Sequence, residues 1–209
     1  MYSTIMAHFW FKFLGTTGFT LTFFSAYIYL LKNPAAHVTV MPVTLLDRLV
    51  GFEPLALPIY LSLWVYVSLP PMLMRTRREI IEYGMWIGAL CLVALVIFYF
   101  WPSAVPPANI DWAAYPGMAF LKNADAAGNA CPSLHVATAV FSAFWLHALL
   151  PSAGLGRVSR AVSACWCVAI VYSTLATKQH VALDVFAGTA LGVLVAWLSR
   201  PKPVLAASW

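Results

Sequence analysis

The chain has 209 residues, of which 62% are hydrophobic and only 9% charged, and its mean hydropathy is +0.82. A soluble domain carries roughly 25% charged residues, so this composition excludes one and points to an integral membrane protein. The net charge of +5 is spread in small groups of Lys and Arg between apolar runs, which excludes a nucleic-acid surface and gives those cations a topological use.

In chain order the apolar runs predict an all-α bundle of six membrane-spanning helices forming one domain over 1–209. Each run is close to the roughly 17–25 residues that a bilayer requires. The first span, 9–31, holds Lys12 inside its apolar stretch and lacks a clear small-residue cleavage site, which separates it from a signal peptide. Pro34, Pro42, Gly51 and Pro54 then break the chain. Between them VTLLDRLVGF, 43–52, has helical periodicity with its own Asp47 and Arg48. That pattern predicts a short helix lying at the membrane interface, with an ordinary connecting loop as the alternative.

The second span, 55–74, has Pro70 and Pro71 near its end and is followed by RTRRE, 75–79, the densest basic cluster in the chain. The third span is 83–101, and the longest polar connection, 102–132, comes after it. A fourth span, 133–150, starts directly after Pro132, a usual start signal for a helix. The basic turn 151–160 leads to the fifth span, 161–176, and the sixth, 181–198, ends in Arg200 and Lys202. Six spans place all three basic segments on one side, which the positive-inside rule makes cytoplasmic. The connections 102–132 and 177–180 then share the opposite face, so His135 and His180 meet at one membrane surface, each at the start of a helix.

His180 and Asp184 stand four residues apart, a spacing that stacks them on one helical face and lets the carboxylate orient the imidazole. Asp184 also lies in a hydrophobic run, where an ionisable group is costly and is usually partnered or functional. A helix-capping pair without chemistry is the plain alternative. At the same surface the sequence offers Asn129, Ser133, His135 and Lys178. Phosphoryl transfer needs a nucleophile, a proton donor opposite it and groups that hold the anionic oxygens. His180 oriented by Asp184 can attack phosphorus, His135 can protonate the leaving oxygen, and Ser133, Lys178 and the amides opening the fourth helix can hold the phosphate.

NACPSLH, 129–135, resembles the PSGH-type second motif, and STLATKQHVALD, 173–184, resembles the third motif, of the type 2 phosphatidic acid phosphatase superfamily. That superfamily includes lipid phosphate phosphatases, vanadium haloperoxidases and enzymes similar to inositol phosphorylceramide synthase. The resemblance implies His180 as nucleophile, Asp184 as its orienting acid, His135 as general acid and Ser133 as a phosphate ligand. Three positions depart from the pattern: the third-motif arginine is Thr174, the glycine of PSGH is Leu134, and WPSAVPP, 101–107, has neither Lys nor Arg where a first motif is expected. Phosphate charge is then expected to fall to Lys178, with Lys122 as a second candidate.

These readings predict a lipid phosphate phosphatase that hydrolyses a phosphomonoester or diphosphate through a phosphohistidine, without metal or other cofactor. A lipid phosphotransferase and a non-catalytic lipid-binding relative are the alternatives. A Ser133–His180–Asp184 hydrolase triad lacks a GxSxG elbow, and a His135–His180–Asp184 metal site lacks a further ligand nearby. The expected partners are a lipid phosphate and membrane lipids, not nucleic acid. The small size and the absence of an organelle signal suggest a bacterial inner membrane with the site on the periplasmic face.

Overall fold

Three α-helices begin at a side-chain cap, Thr44, Thr76 and Ser133, which satisfies amides that a helix start leaves open. A computed structural model describes residues 6–118 and 128–199. The first helix, α1 (Phe9–Lys32), buries only Lys12 and Leu31. Lys12 is kept out of the apolar surroundings by donating to the carbonyl of Met72, 3.2 Å away. A two-residue strand, β1 (Thr39–Val40), follows, and then the helix α2 (Leu45–Leu49) inside the stretch expected to be amphipathic. Thr44 and Asp47 cap α2 reciprocally. Asp47 also reaches out of its own helix, accepting from the Ala182 N–H at 2.7 Å.

The expected span 55–74 is built in three pieces over Pro54–Leu73: a 3-10 turn, α3 (Leu57–Leu61) and α4 (Leu63–Leu73). Pro71 has no N–H for the carbonyl of Val67, one turn earlier, and the Tyr83 hydroxyl donates to that carbonyl instead, at 3.2 Å. The next helix, α5 (Arg77–Phe100), starts six residues before the expected 83–101. The cause is local: within RTRRE, Thr76 and Glu79 form a capping box, with Thr76 Oγ1 accepting from the Glu79 N–H at 3.2 Å and Glu79 Oε2 from the Thr76 N–H at 3.0 Å. A second strand, β2 (Ser103–Ala104), pairs in parallel with β1, and Ser103 bridges to Asn129 as well. The connection after α1 and both ends of the connection 102–132 are thereby pinned together.

The remaining helices are α6 (Leu134–Leu149), α7 (Arg157–Ala176) and α8 (Ala182–Ser199). Among the described residues, five helices are long and apolar enough to cross a membrane: Phe9–Lys32, Pro54–Leu73, Arg77–Phe100, Arg157–Ala176 and Ala182–Ser199. The apolar helix α6 is shorter, with 16 residues, or about 24 Å. It is also the hub, packed against α4, α5, α7 and α8, with nine of its residues buried. Its closest neighbour is α8, because Gly188 and Gly192 present no side chain to it. A Cβ at Gly192 would lie 2.6 Å from the Ala137 carbonyl oxygen, and one at Gly188 would fall on the Ser133 carbonyl. Small residues four apart permit this approach, and in lipid it is the route to tight helix packing. Two tyrosine hydroxyls in the core find partners, as an apolar surrounding requires. Tyr83 and Ser142 share a hydrogen bond at 3.2 Å, and Tyr66 meets the Ser163 hydroxyl at 2.9 Å.

Candidate active site

The close crossing of α6 and α8 decides where the site forms. It brings the starts of the two helices together, so that the Ser133 N–H donates to the backbone carbonyl of Asp184 at 3.0 Å. The chain reaches α8 through a four-residue reversal, TKQH, after α7 ends. Lys178 sits there in the left-handed region with φ 56°, and the N–H groups of Gln179 and His180 both donate to the carbonyl of Thr174. A non-glycine residue in that region costs roughly 1–2 kcal/mol. The Lys178 side chain offsets the cost by donating to the carbonyls of Asp47, at 3.1 Å, and Val50. Burial holds the Lys178 ammonium below its ordinary pKa, partly countered by the Asp47 carboxylate.

His180 emerges from this reversal with Nδ1 3.5 Å from Asp184 Oδ2. That is ion-pair distance rather than a formed hydrogen bond, and Nδ1 has no hydrogen-bond partner among the described residues. The same Asp184 oxygen accepts from the Val181 N–H at 3.0 Å, so the carboxylate both caps α8 and faces the imidazole. Asp184 is wholly buried, and its Oδ1 has no hydrogen-bond partner among the described residues. Cys131 stands beside it. Burial, reinforced by the Asp184 charge, pushes the Cys131 thiol up to about 11, which keeps it protonated and unreactive at neutral pH.

Ser133 is the N-cap of α6, its hydroxyl accepting from the Val136 N–H at 3.3 Å. His135 lies in the first turn, stacked on Tyr60 with ring centroids 3.9 Å apart and planes 13° from parallel. The backbone of Tyr60 hydrogen-bonds the imidazole, while Nε2 is buried with no partner among the described residues. The bonded nitrogen is therefore Nδ1, which donates to the Tyr60 carbonyl and leaves Nε2 for chemistry. Asn129 donates from Nδ2 to the Tyr27 carbonyl at 2.9 Å, and its Oδ1 is left without a partner among the described residues.

His135, His180 and Asn129 share the wall of one cavity of about 450 Å3. A second cavity of about 180 Å3 is lined by His180, Lys178, Asp47 and Val181, so His180 stands between the two. Of the residues singled out in the sequence, His180, Asp184, His135, Ser133 and Asn129 come together around this point, with Lys178 at the edge. Lys122 lies outside the described residues. Thr174, at the position of the family arginine, is buried and donates to the Val171 carbonyl at 2.7 Å. No arginine lines either cavity among the described residues, and no group of three or more His, Cys, Asp or Glu among them could hold a metal ion.

Two contributors escaped the sequence reading. Tyr60 is one of several aromatics in an apolar run, and no spacing reveals that it stacks on a residue 75 positions away. Asp47 carries a legible local signal, the Thr44–Asp47 cap, but its second oxygen serves α8 across the fold.

A family model described as the PAP2 superfamily matches residues 85–204, a stretch that contains both histidines, Ser133 and Asp184. No curated protein and no solved structure matches the chain.

Proposed function

Because this chain belongs to the PAP2 superfamily, whose members are in general phosphatases or phosphotransferases, we propose that it is a membrane lipid phosphate phosphatase working through a phosphohistidine. The observation that carries the reading is the single cavity onto which two imidazoles open, each having a buried nitrogen without a hydrogen-bond partner among the described residues. Nδ1 of His180 faces Asp184, so Nε2 is the nucleophile. Its lone pair attacks phosphorus as the bond to the lipid oxygen breaks, and Asp184 stabilises the positive imidazole that results.

His135 supplies the proton that the leaving oxygen takes up. A bound phosphate favours the doubly protonated ring, in which Nδ1–H stays on the Tyr60 carbonyl and Nε2–H meets the leaving oxygen. Once the lipid alcohol departs, neutral Nε2 takes a proton from water. The hydroxide then attacks phosphorus, the P–N bond breaks, and inorganic phosphate leaves. Open amides in the first turn of α6 offset the charge on the phosphate oxygens.

In this proposal α6 crosses with the other five helices and the site faces the outer, periplasmic side of a bacterial inner membrane, a reading supported by the clustering of the basic segments. The phosphoryl-transfer steps use no metal. The smaller cavity beside His180 supports a second reading, since it offers an acceptor other than water a separate approach and would make the protein a phosphotransferase.

Phosphate release from lipid monophosphates and diphosphates, with and without EDTA, separates these readings when the lipid products are analysed too. Chelator-insensitive free phosphate, and an acid-labile, base-stable phosphoenzyme that disappears in His180→Ala, are expected. A fully active His180→Ala variant would overturn the proposal.

A further inference from the structure

The imidazole of His180 has little of its own to hold its aim. Nδ1 lies 3.5 Å from Asp184 Oδ2, beyond the usual hydrogen-bond range of about 2.7–3.2 Å, and has no hydrogen-bond partner among the described residues. His180 also lines both cavities, so open space meets the ring where packed side chains would otherwise fix it. Its direction is therefore set by the backbone that carries it, the TKQH reversal.

A residue 135 positions before Ala182 in sequence holds that reversal on both sides of the histidine. Asp47 Oδ1 accepts from the Ala182 N–H at 2.7 Å, two residues after His180. The backbone carbonyl of the same Asp47 accepts from the Lys178 ammonium at 3.1 Å, two residues before His180, and the Val50 carbonyl accepts from that ammonium too. These bonds are charge-assisted and so are of the stronger kind. Anchors on either side fix both the position and the tilt of the segment between them, which one alone would not. Glu53 adds a further tie, its N–H donating to the Ala176 carbonyl at 2.9 Å.

The helix that supplies Asp47 contributes nothing to the core. α2 has five residues, too few for a helix to persist alone, and none of them is buried. Asp47 Oδ2 turns back onto Thr44, accepting from its N–H at 2.7 Å and its hydroxyl at 2.8 Å, which leaves Oδ1 for α8.

We propose that Asp47 is the positioning residue for the nucleophile: it clamps the reversal at Lys178 and Ala182 and so holds His180 Nε2 on its line of attack. It touches no reacting atom. The inference rests on the phosphatase reading given above, and it assigns Lys178 to the clamp rather than to the phosphate.

The test measures phosphate release by the purified full chain in detergent from dioleoyl phosphatidic acid and from farnesyl diphosphate, together with amide hydrogen exchange. Asp47→Ala should lower kcat about 100-fold, the loss that about 1 Å of misalignment produces, with KM near that of wild type. Asp47→Asn should recover most of kcat, because its amide oxygen still accepts from the Ala182 N–H. Thr44→Ala removes only the hydroxyl bond within the cap of α2 and should keep wild-type kcat. Lys178→Met cuts the other anchor and should likewise lower kcat at constant KM; a raised KM at unchanged kcat would put the ammonium on the phosphate and overturn the clamp. Exchange of the 178–181 amides should quicken in Asp47→Ala. None of these amides bonds to Asp47, so faster exchange there reports a loosened reversal rather than the lost bond itself. Wild-type kcat in Asp47→Ala, or an equal loss in Thr44→Ala, would overturn the proposal and leave the phosphatase reading standing. If wild type releases phosphate from neither lipid, the phosphatase reading fails and exchange decides alone: quickening at 178–181 in Asp47→Ala upholds the clamp, and unchanged exchange overturns it.

Discussion

A single methyl group at Gly188 is expected to disable the site without touching any residue that does chemistry. Gly188→Ala places a Cβ on the Ser133 carbonyl, at a crossing just as close one turn later, where a Cβ added at Gly192 would lie 2.6 Å from the Ala137 oxygen. Carbon–oxygen contacts between packed helices settle at about 3.3–3.6 Å, so α6 and α8 must separate by about 0.9–1.2 Å. Overpacking of this kind costs about 1–3 kcal/mol. The separation also strains the bond from the Ser133 N–H to the Asp184 carbonyl, worth about 1 kcal/mol net. For a chain of this size each kcal/mol lowers the melting temperature by about 2–4 °C. The larger effect is on alignment. His135 rides on α6 and His180 leads into α8, and a displacement of about 1 Å between reacting groups costs about 100-fold in rate. Phosphate release and thermal unfolding in detergent measure both effects. Gly18→Ala is the control, since it meets nothing within 4 Å and does not line the cavity. It should leave turnover unchanged and stabilise α1 by about 0.5–1 kcal/mol. Gly188→Ala with wild-type turnover and melting temperature would refute the role given to the crossing.

Three further outcomes are expected. Tyr60→Phe should keep the stack on His135 and full activity, whereas Tyr60→Leu should lower kcat about tenfold and shift the pH profile; equal activity in the two variants would remove Tyr60 from the site. Asp184→Asn preserves shape but removes the charge that orients His180, and kcat should fall by roughly 10³–10⁴-fold, as for other carboxylate–histidine pairs. Cys131 contributes to alkaline unfolding: the folded thiol keeps its proton up to about 11, while the unfolded one gives it up near 9.0. The folded state thus binds more protons in that window, and stability falls as pH rises through it. Cys131→Ser should flatten the fall, and an unchanged alkaline unfolding curve would count against it.

The helices and the His180–Asp184 pair were legible because both are written at short spacing, in apolar runs and an i,i+4 pair. The early start of α5 was legible in principle too. Thr76 and Glu79 spell a capping box, but the arginines between them carry the topological signal that stands out. Asp47, Tyr27 and Tyr60 are different. Each meets the site through a contact that spans 75 to 135 positions, and nothing local to these residues encodes the partner. Lys178 lies between these cases. Its charge made it a phosphate candidate, while the structure ties its ammonium to carbonyls of the α2 segment and uses the residue to turn the chain.

The sparse packing of α1 bears on the order in which the protein assembles during synthesis. Its 24 residues are made before α5, on which they chiefly pack, and Asn129, which grips the Tyr27 carbonyl, is made later still. Until those partners follow, α1 lacks its packing, and Lys12 waits for the Met72 carbonyl. Helices α4 to α8 can close around their own core without it. A chain begun after Lys32 is accordingly expected to insert and to bring the two histidines together, with one wall of the chamber before them missing.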